Sequence, residues 1–136
     1  MPAKGIHHVD LAVADVERSL AFYLALLGPL GWFEDVRYKT YRGTEDVVYL
    51  REPRNGTMLG LRPADGGEYR YYAAGIEHLA FEVDEAAEVD AAYAGCLERE
   101  ENVHFPPEID RDVEDYYALF VFDPDGIRIE VFSWPR

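Results

Sequence analysis

The sequence predicts an α+β protein made of two tandem βαβββ modules. A repeat is the first observation behind this prediction, because residues 5–23 align without a gap on residues 75–93, 70 positions later. The second observation is that each copy has the pattern of a strand, a helix and three further strands. Six of the 19 aligned positions are identical, namely Gly5/Gly75, Ile6/Ile76, His8/His78, Val13/Val83, Ala21/Ala91 and Tyr23/Tyr93.

The first module begins with the strand "IHHVDLAV", after which Asp15 is placed to cap a helix. The apolar residues of this helix keep a helical spacing until "LGPLG" stops it. Three strands are predicted next, and "EPRNG" forms the turn between the last two. They lie around residues 32–39, 46–51 and 57–62.

The second module repeats this order with the strand "IEHLAFEV" and a helix capped by Asp84. Cys96 falls on the inward face of that helix, where an unreactive buried thiol is expected. Residues 106–115, "PPEIDRDVED", are predicted to form a loop beside the functional site. The remaining strands lie around residues 102–105, 117–122 and 127–132, and "DPDG" closes the final pair.

The 136 residues fit one compact domain, residues 1–136. The first module spans about residues 5–63, a linker about 64–74 and the second module about 75–134.

Charge and composition exclude several kinds of partner. The formal net charge of -14 would repel a nucleic acid or an anionic membrane surface. No apolar run is long enough to span a bilayer, and the single cysteine cannot form an internal disulfide. We therefore expect a soluble, cytoplasmic protein that binds a small molecule rather than nucleic acid or membrane.

The alternation of side chains places four polar residues on one face of the predicted sheets. In the first strand the apolar residues occupy odd positions, so His8 and Asp10 lie on the face away from the helix. The same parity places His78 and Glu130 on that face in the second module. His7 is predicted to point to the opposite face and to take no part, and the repeat also selects His8 over His7.

Two imidazoles and one carboxylate suit a divalent first-row metal. If both sheets curl around this face, His8, His78 and Glu130 would bind one Zn²⁺, Mn²⁺, Ni²⁺ or Fe²⁺ ion. Three protein ligands leave coordination positions open for water or substrate, which is the arrangement of a catalytic site.

The pattern "HHVDLAVADVERSLAFY … GIEHLAFEVD … FDPDGIRIEV" resembles the vicinal oxygen chelate superfamily. This superfamily includes glyoxalase I, extradiol dioxygenases, fosfomycin-resistance thiol transferases and bleomycin-resistance proteins. The resemblance implies paired βαβββ modules that form a cupped mixed sheet, usually in a homodimer, with a divalent metal in the cup. By position it assigns the metal ligands to His8, His78 and Glu130.

The sequence departs from the well-known subfamilies at two positions. Gly60 stands where glyoxalase I has a metal-binding Glu, which argues against that activity. Phe120 stands ten residues before Glu130, where the fosfomycin enzymes and extradiol dioxygenases have a Tyr. Phe120 is accordingly a candidate for substrate contact.

Three further residues are candidates on the same face. Asp10 would act as a general base or orient a metal-bound water, or it is a solvated residue at the rim. Arg62 and Arg128 would bind an anionic group of the substrate, or they pair with the abundant carboxylates of the protein.

The main functional hypothesis is a metal-dependent enzyme acting on a small oxygen-bearing substrate, by lyase or isomerase, thiol transferase or dioxygenase chemistry. The alternative is a metal-free protein of the bleomycin-resistance type, whose acidic dimer cleft sequesters a cationic drug. The net charge favours this alternative, whereas the retained metal-binding residues favour the enzyme.

Overall fold

A computed structural model describes residues 2–43, 46–97 and 102–135. In the first module they form β1 (His8–Val13), α1 (Val16–Leu27), a 3-10 turn (Gly28–Leu30), β2 (Phe33–Lys39), β3 (Asp46–Arg51) and β4 (Met58–Pro63). In the second module they form β5 (His78–Val83), α2 (Ala86–Cys96), β6 (Val103–Ile109), β7 (Tyr117–Phe122) and β8 (Arg128–Ser133).

Each module folds into its own four-stranded mixed sheet. The strand order is β1-β4-β3-β2 in the first sheet and β5-β8-β7-β6 in the second. In both sheets the first strand of the module lies parallel to the last, and the other pairs are antiparallel. The predicted α+β class and the two βαβββ modules are confirmed.

The two helices begin differently. Asp15 caps α1 as predicted, because its carboxylate accepts a hydrogen bond from the backbone N–H of Arg18. The predicted cap of α2 at Asp84 is wrong by one residue. Glu85 occupies the cap position and forms a capping box with Glu88, which binds the backbone N–H of Glu85 in return.

Strand β6 is longer than the sequence predicts. It continues through Pro106 and Pro107 to Ile109, so the predicted loop at 106–115 is strand over its first part. Proline donates no ladder hydrogen bond, but β6 is an edge strand, and its pairing with β7 shifts register between Phe105 and Glu108. An edge and a bulge are the places where a sheet accepts proline.

The modules join through their helix-covered faces. Helix α1 packs on the first sheet, α2 packs on the second, and the two helices pack against each other within one hydrophobic core. The buried hydroxyl of Tyr23 in α1 donates a hydrogen bond of 2.6 Å to Asp123 in the β7–β8 turn. Burial raises the pKa of the Asp123 carboxyl, and three hydrogen-bond donors partly offset that effect. Both uncovered sheet faces therefore point away from this joint.

Within the described ranges, no helix is both long and apolar enough to cross a membrane.

The helix crossing generates a stability prediction. Gly95 of α2 lies against the backbone carbonyl of Ala25 in α1, and a methyl group there would also approach Pro29 Cγ to 2.9 Å. We expect Gly95→Ala to lower the free energy of unfolding by about 1–3 kcal/mol, because the helices must move apart. Urea denaturation measures this loss.

Gly28→Ala is the matched control for that substitution. Gly28 has a right-handed helical conformation and open space around its Cα, so the added methyl group meets nothing. We expect unchanged or slightly higher stability for Gly28→Ala. Equal effects of the two substitutions would contradict close packing at the crossing.

Candidate functional site

The candidate residues lie on the uncovered face of each sheet, as parity predicts. On β1 the side chains of Leu11 and Val13 are buried under the helix, whereas His8 and Ala12 are exposed. We call His8, Asp10, Tyr49, Gly60 and Arg62 the first half-site. We call His78, Tyr116, Phe120, Arg128 and Glu130 the second half-site.

Two candidate ligands meet in the second half-site. The Nε2 atom of His78 lies 3.1 Å from Oε1 of Glu130, diagonally across the parallel pair of β5 and β8. The Glu130 side chain is only 4% exposed, although it belongs to the uncovered face. The Tyr116 hydroxyl covers it and donates a hydrogen bond to Oε2. A nitrogen and an oxygen donor therefore converge here.

Tyr116 belongs to the second half-site, where it covers Glu130. It stacks on Phe132 with ring centroids 4.9 Å apart, which holds its hydroxyl over Glu130. Burial and the hydrogen bond to Glu130 raise the pKa of Tyr116, so the phenol remains a donor. The preceding residue, Asp115, has a left-handed backbone with φ of 60°, which the sequence did not reveal.

Phe120 lies opposite Glu130 in the β7–β8 pair and forms an apolar wall beside His78. The guanidinium carbon of Arg128 sits 4.0 Å from the centre of the Phe120 ring. Arg128 is 13% exposed, and its guanidinium also donates to Glu77 and His104. These contacts hold Arg128 within the aromatic wall, and its predicted contact with substrate stays a prediction.

Glu77 connects several residues around His78. Its carboxylate contacts Nδ1 of His78, accepts a 2.7 Å hydrogen bond from Tyr71 and lies 3.3 Å from Arg128. The hydrogen bonds from Tyr71 and His78 lower the pKa of Glu77, so it is an anion.

A hydrogen-bonded network occupies the first half-site. Asp10 Oδ2 accepts a 2.7 Å bond from the Tyr49 hydroxyl and lies 2.6 Å from Arg62 Nη2. Burial raises the pKa of Tyr49, and so do its hydrogen bonds with Tyr38 and Asp10. Among the described residues, the buried Asp10 Oδ1 and Arg62 Nε have no hydrogen-bond partner. Asp10 therefore keeps one acceptor oxygen unused.

Gly60 makes room for this network. Strand pairing aligns Asp10, Gly60 and Tyr49 in one row of the first sheet, and Ala80, Glu130 and Phe120 in the equivalent row of the second. A Cβ at Gly60 would collide with Asp10 Oδ1 and with Tyr49 Cε1, at 2.6 Å. The first module thus has its carboxylate on the edge strand, and the second has it on the neighbouring strand.

His7 lies in contact with His8, contrary to the sequence prediction. Their Nδ1 atoms are 2.9 Å apart, and the rings meet edge to face. The prediction assumed that both residues belong to a strand, but β1 begins at His8. His7 therefore precedes the strand, and the alternation of strand side chains does not direct it to the other face.

One chain keeps the two half-sites apart. His8 contacts Tyr49 and His7, whereas His78 contacts Glu130, Glu77 and Phe120. A groove of about 310 Å³ lies between the two modules, lined by Val9 and Met58 on one side and by Phe81 on the other. Within residues 2–43, 46–97 and 102–135 of a single chain, no three His, Cys, Asp or Glu side chains are arranged to hold a metal ion.

Comparisons with known proteins identify a family whose model covers most of the chain. The family model of the Glyoxalase/Bleomycin resistance protein/Dioxygenase superfamily matches residues 5–131. Protein YqjT of Bacillus subtilis is 27% identical over 135 residues, covering 94% of this chain and 98% of YqjT.

Two solved structures are similar in fold. The glyoxylase/bleomycin resistance protein/dioxygenase domain from Frankia sp. EAN1pec has a TM-score of 0.79 at 24% identity, covering 98% of this chain and 100% of the domain. The fosfomycin resistance protein FosX from Listeria monocytogenes has a TM-score of 0.70 at 16% identity, covering 98% of this chain and 96% of FosX.

The crowding at Gly60 generates a prediction. Gly60→Ala should lower the free energy of unfolding by about 1–3 kcal/mol, because the added Cβ displaces the Asp10 carboxylate and the Tyr49 ring. Combining it with Asp10→Ala removes one of the colliding groups, so the double variant should lose less than the sum of the single losses. Denaturant titration of all three variants measures the coupling. Strict additivity would contradict the close approach of Asp10 to Gly60.

Proposed function

We propose that this chain, which belongs to the Glyoxalase/Bleomycin resistance protein/Dioxygenase superfamily, is a metal-dependent enzyme that acts as a homodimer. One divalent ion, Zn²⁺, Mn²⁺, Ni²⁺ or Fe²⁺, would be held by His8 of one protomer and by the partner's His78 and Glu130. The observation that carries the proposal is the 3.1 Å approach of His78 Nε2 to Glu130 Oε1 on the uncovered face.

The donor chemistry of these residues fits a divalent ion. Imidazole nitrogen beside carboxylate oxygen suits first-row metals, and a third donor completes a site with open positions. Within the described chain, Gly60 brings no fourth ligand, and Asp10 with the Tyr49 ring fills the space beside it. When bound, the ion would supply Lewis-acid stabilisation of negative charge on a substrate oxygen.

Two edge strands support the sharing of the site between protomers. Among the described strands, β1 pairs only with β4 and β5 only with β8, so each has an unpaired edge. Unpaired edges invite pairing with another chain. Placing β1 of one protomer beside the partner's β5 would bring His8 near the partner's His78 and bury Ile6, which is 77% exposed.

The residues of the first half-site would move a proton. Asp10 is the candidate base. Tyr49 and Arg62 hold its Oδ2, and its Oδ1 accepts no hydrogen bond from the described residues. Oδ1 is buried against Gly60, so the carboxylate would turn toward a substrate to take up its proton. Tyr49 remains a proton donor beside it. A carboxylate held in this way favours isomerase or lyase chemistry, in which a base removes a proton from the carbon beside a carbon–oxygen group of the substrate.

The charges of the half-sites favour a neutral substrate. Arg62 is paired with Asp10, and Arg128 is paired with Glu77. Phe120 and the 43% exposed Phe105 would contact an apolar part of the substrate. We infer a small, oxygen-bearing and uncharged substrate. The cytoplasmic location stays a prediction.

A metal-free protein that sequesters a cationic drug is the second candidate. The net charge of -14 and the aromatic walls of both half-sites favour it, because cations bind aromatic faces in an acidic cleft.

Metal binding separates the two functions. We expect the purified wild-type protein to bind one ion per chain when titrated with Zn²⁺ or Mn²⁺, and His8→Ala, His78→Ala and Glu130→Gln to abolish that binding. Asp10→Asn should bind metal normally, since Asp10 is proposed to move a proton. Elemental analysis after removal of excess metal measures the content. A wild-type content below roughly a tenth of an equivalent with every metal tried would reject the enzyme.

Mixed dimers test whether the site is shared. If His8 acts with the partner's His78, a dimer of one His8→Ala chain and one His78→Ala chain keeps one intact site, although neither parent dimer has any. Differently tagged chains can be co-expressed, purified as mixed dimers and assayed for bound Zn²⁺. The matched control pairs His78→Ala with Glu130→Gln, which damages both sites of the mixed dimer. Failure of the first pair to bind Zn²⁺ would show that the site is not shared in this way.

A further inference from the structure

Each candidate ligand histidine is preceded by a residue that contacts its Nδ1 atom. Glu77 contacts Nδ1 of His78, and His7 lies 2.9 Å from Nδ1 of His8. These two residues occupy equivalent places in the 70-residue repeat. Their chemistry differs, yet both engage the same ring atom.

The path of the backbone explains why both contacts form. Strand β1 begins at His8 and β5 begins at His78, so the preceding residues lie outside the alternation of the strands. The repeated glycines Gly5 and Gly75 have positive φ values of 117° and 140°, which L side chains rarely adopt. Both modules thus have a glycine with positive φ three residues before their first strand.

In the second module the contact with Glu77 determines which ring nitrogen of His78 carries the proton. A carboxylate only accepts hydrogen bonds, so contact with Glu77 requires a proton on Nδ1 of His78. The Nε2 atom then faces Glu130. Tyr71 and Arg128 fix Glu77 in place, so the carboxylate cannot turn away without breaking their bonds.

In the first module one of the two imidazole rings, His7 or His8, must be the hydrogen-bond donor and the other the acceptor. One Nδ1 atom donates and the other accepts, because two protonated or two bare nitrogens would not attract each other at 2.9 Å. A metal ligand needs a bare Nε2, so His8 carries its proton on Nδ1 and His7 accepts it. His7 then carries its own proton on Nε2.

We infer that Glu77 and His7 are positioning residues that hold the Nδ1–H of His78 and His8, so that each ligand histidine presents Nε2 to the metal. The inference rests on the proposed function. A hydrogen-bond partner on the other ring nitrogen fixes the orientation and tautomer of a ligating histidine, and its loss typically lowers metal affinity ten- to hundredfold. The two modules therefore share a positioning device, although one uses a carboxylate and the other an imidazole.

Zn²⁺ competition titration against a coloured chelator tests the inference. We expect Glu77→Ala to weaken Zn²⁺ binding about ten- to hundredfold and Glu77→Gln to retain most of the affinity, because the amide oxygen still accepts the Nδ1–H. Glu68→Ala is the control, since it removes an equal charge from an exposed position in the linker. It should leave the affinity unchanged.

His7 gives a second, independent series that avoids the network around Glu77. His7→Ala should weaken Zn²⁺ binding, whereas His7→Glu copies the second module and should restore it. His7 is exposed, so neither substitution disturbs the core. A bystander at this position would bind Zn²⁺ equally well as His, Ala or Glu, and that result would overturn the assignment of His7.

Nitrogen-15 NMR of the metal-free protein adds a readout that does not depend on metal. We expect a proton on Nδ1 of His78 that exchanges slowly with water in the wild type and faster in Glu77→Ala. A bare Nδ1 in the wild type would overturn the inference. If the wild type takes up no Zn²⁺, the proposed function fails and this inference fails with it. If the wild type and Glu77→Ala bind Zn²⁺ equally, only this inference fails.

Discussion

The packing of α1 against α2 is the constraint on which the rest of the structure depends. Gly95 lets the helices approach at Ala25, and the buried bond from Tyr23 to Asp123 ties the first helix to the turn of the second module. Because each helix covers one face of its own sheet, this joint leaves the opposite faces uncovered and directed apart. His8 and His78 are therefore exposed on separate faces of one chain.

The two copies of the repeat differ in the strand that holds the carboxylate. In the second module the central strand has Glu130, and the edge strand has the small residue Ala80. In the first module Gly60 lies on the central strand, and Asp10 on the edge strand fills the space. In the first sheet no side chain fits at Gly60 beside Asp10 and Tyr49, so a carboxylate on the edge strand requires a glycine on the central strand. The half-site proposed to bind a metal and the half-site proposed to move a proton thus share one fold.

The sequence predicted the architecture well, because the repeat, the helical period and the strand alternation can all be read from the order of the residues. It predicted the α+β class, both modules, the Asp15 cap and the uncovered face of His8, His78 and Glu130. It failed at the cap of α2 and in the length of β6, where Glu85 and the edge position of Pro106 decide the outcome. The edge position of β6 depends on neighbours in space, which the pattern of residue types does not specify. The capping box is local, but Asp84 and Glu85 are adjacent acidic residues, and the path of the backbone decides which of them caps the helix.

The sequence by itself determined which residues share a face, because the pleat of a strand fixes side-chain direction from position alone. It did not determine distance. Only the tertiary structure decided that Tyr116 covers Glu130, that Tyr49 and Arg62 hold Asp10, and that one chain keeps the half-sites apart. The structure also decided the place of His7, since alternation applies only inside a strand and β1 begins one residue later. Contacts between distant segments follow from how the two sheets pack through their helices, and no local pattern encodes that packing.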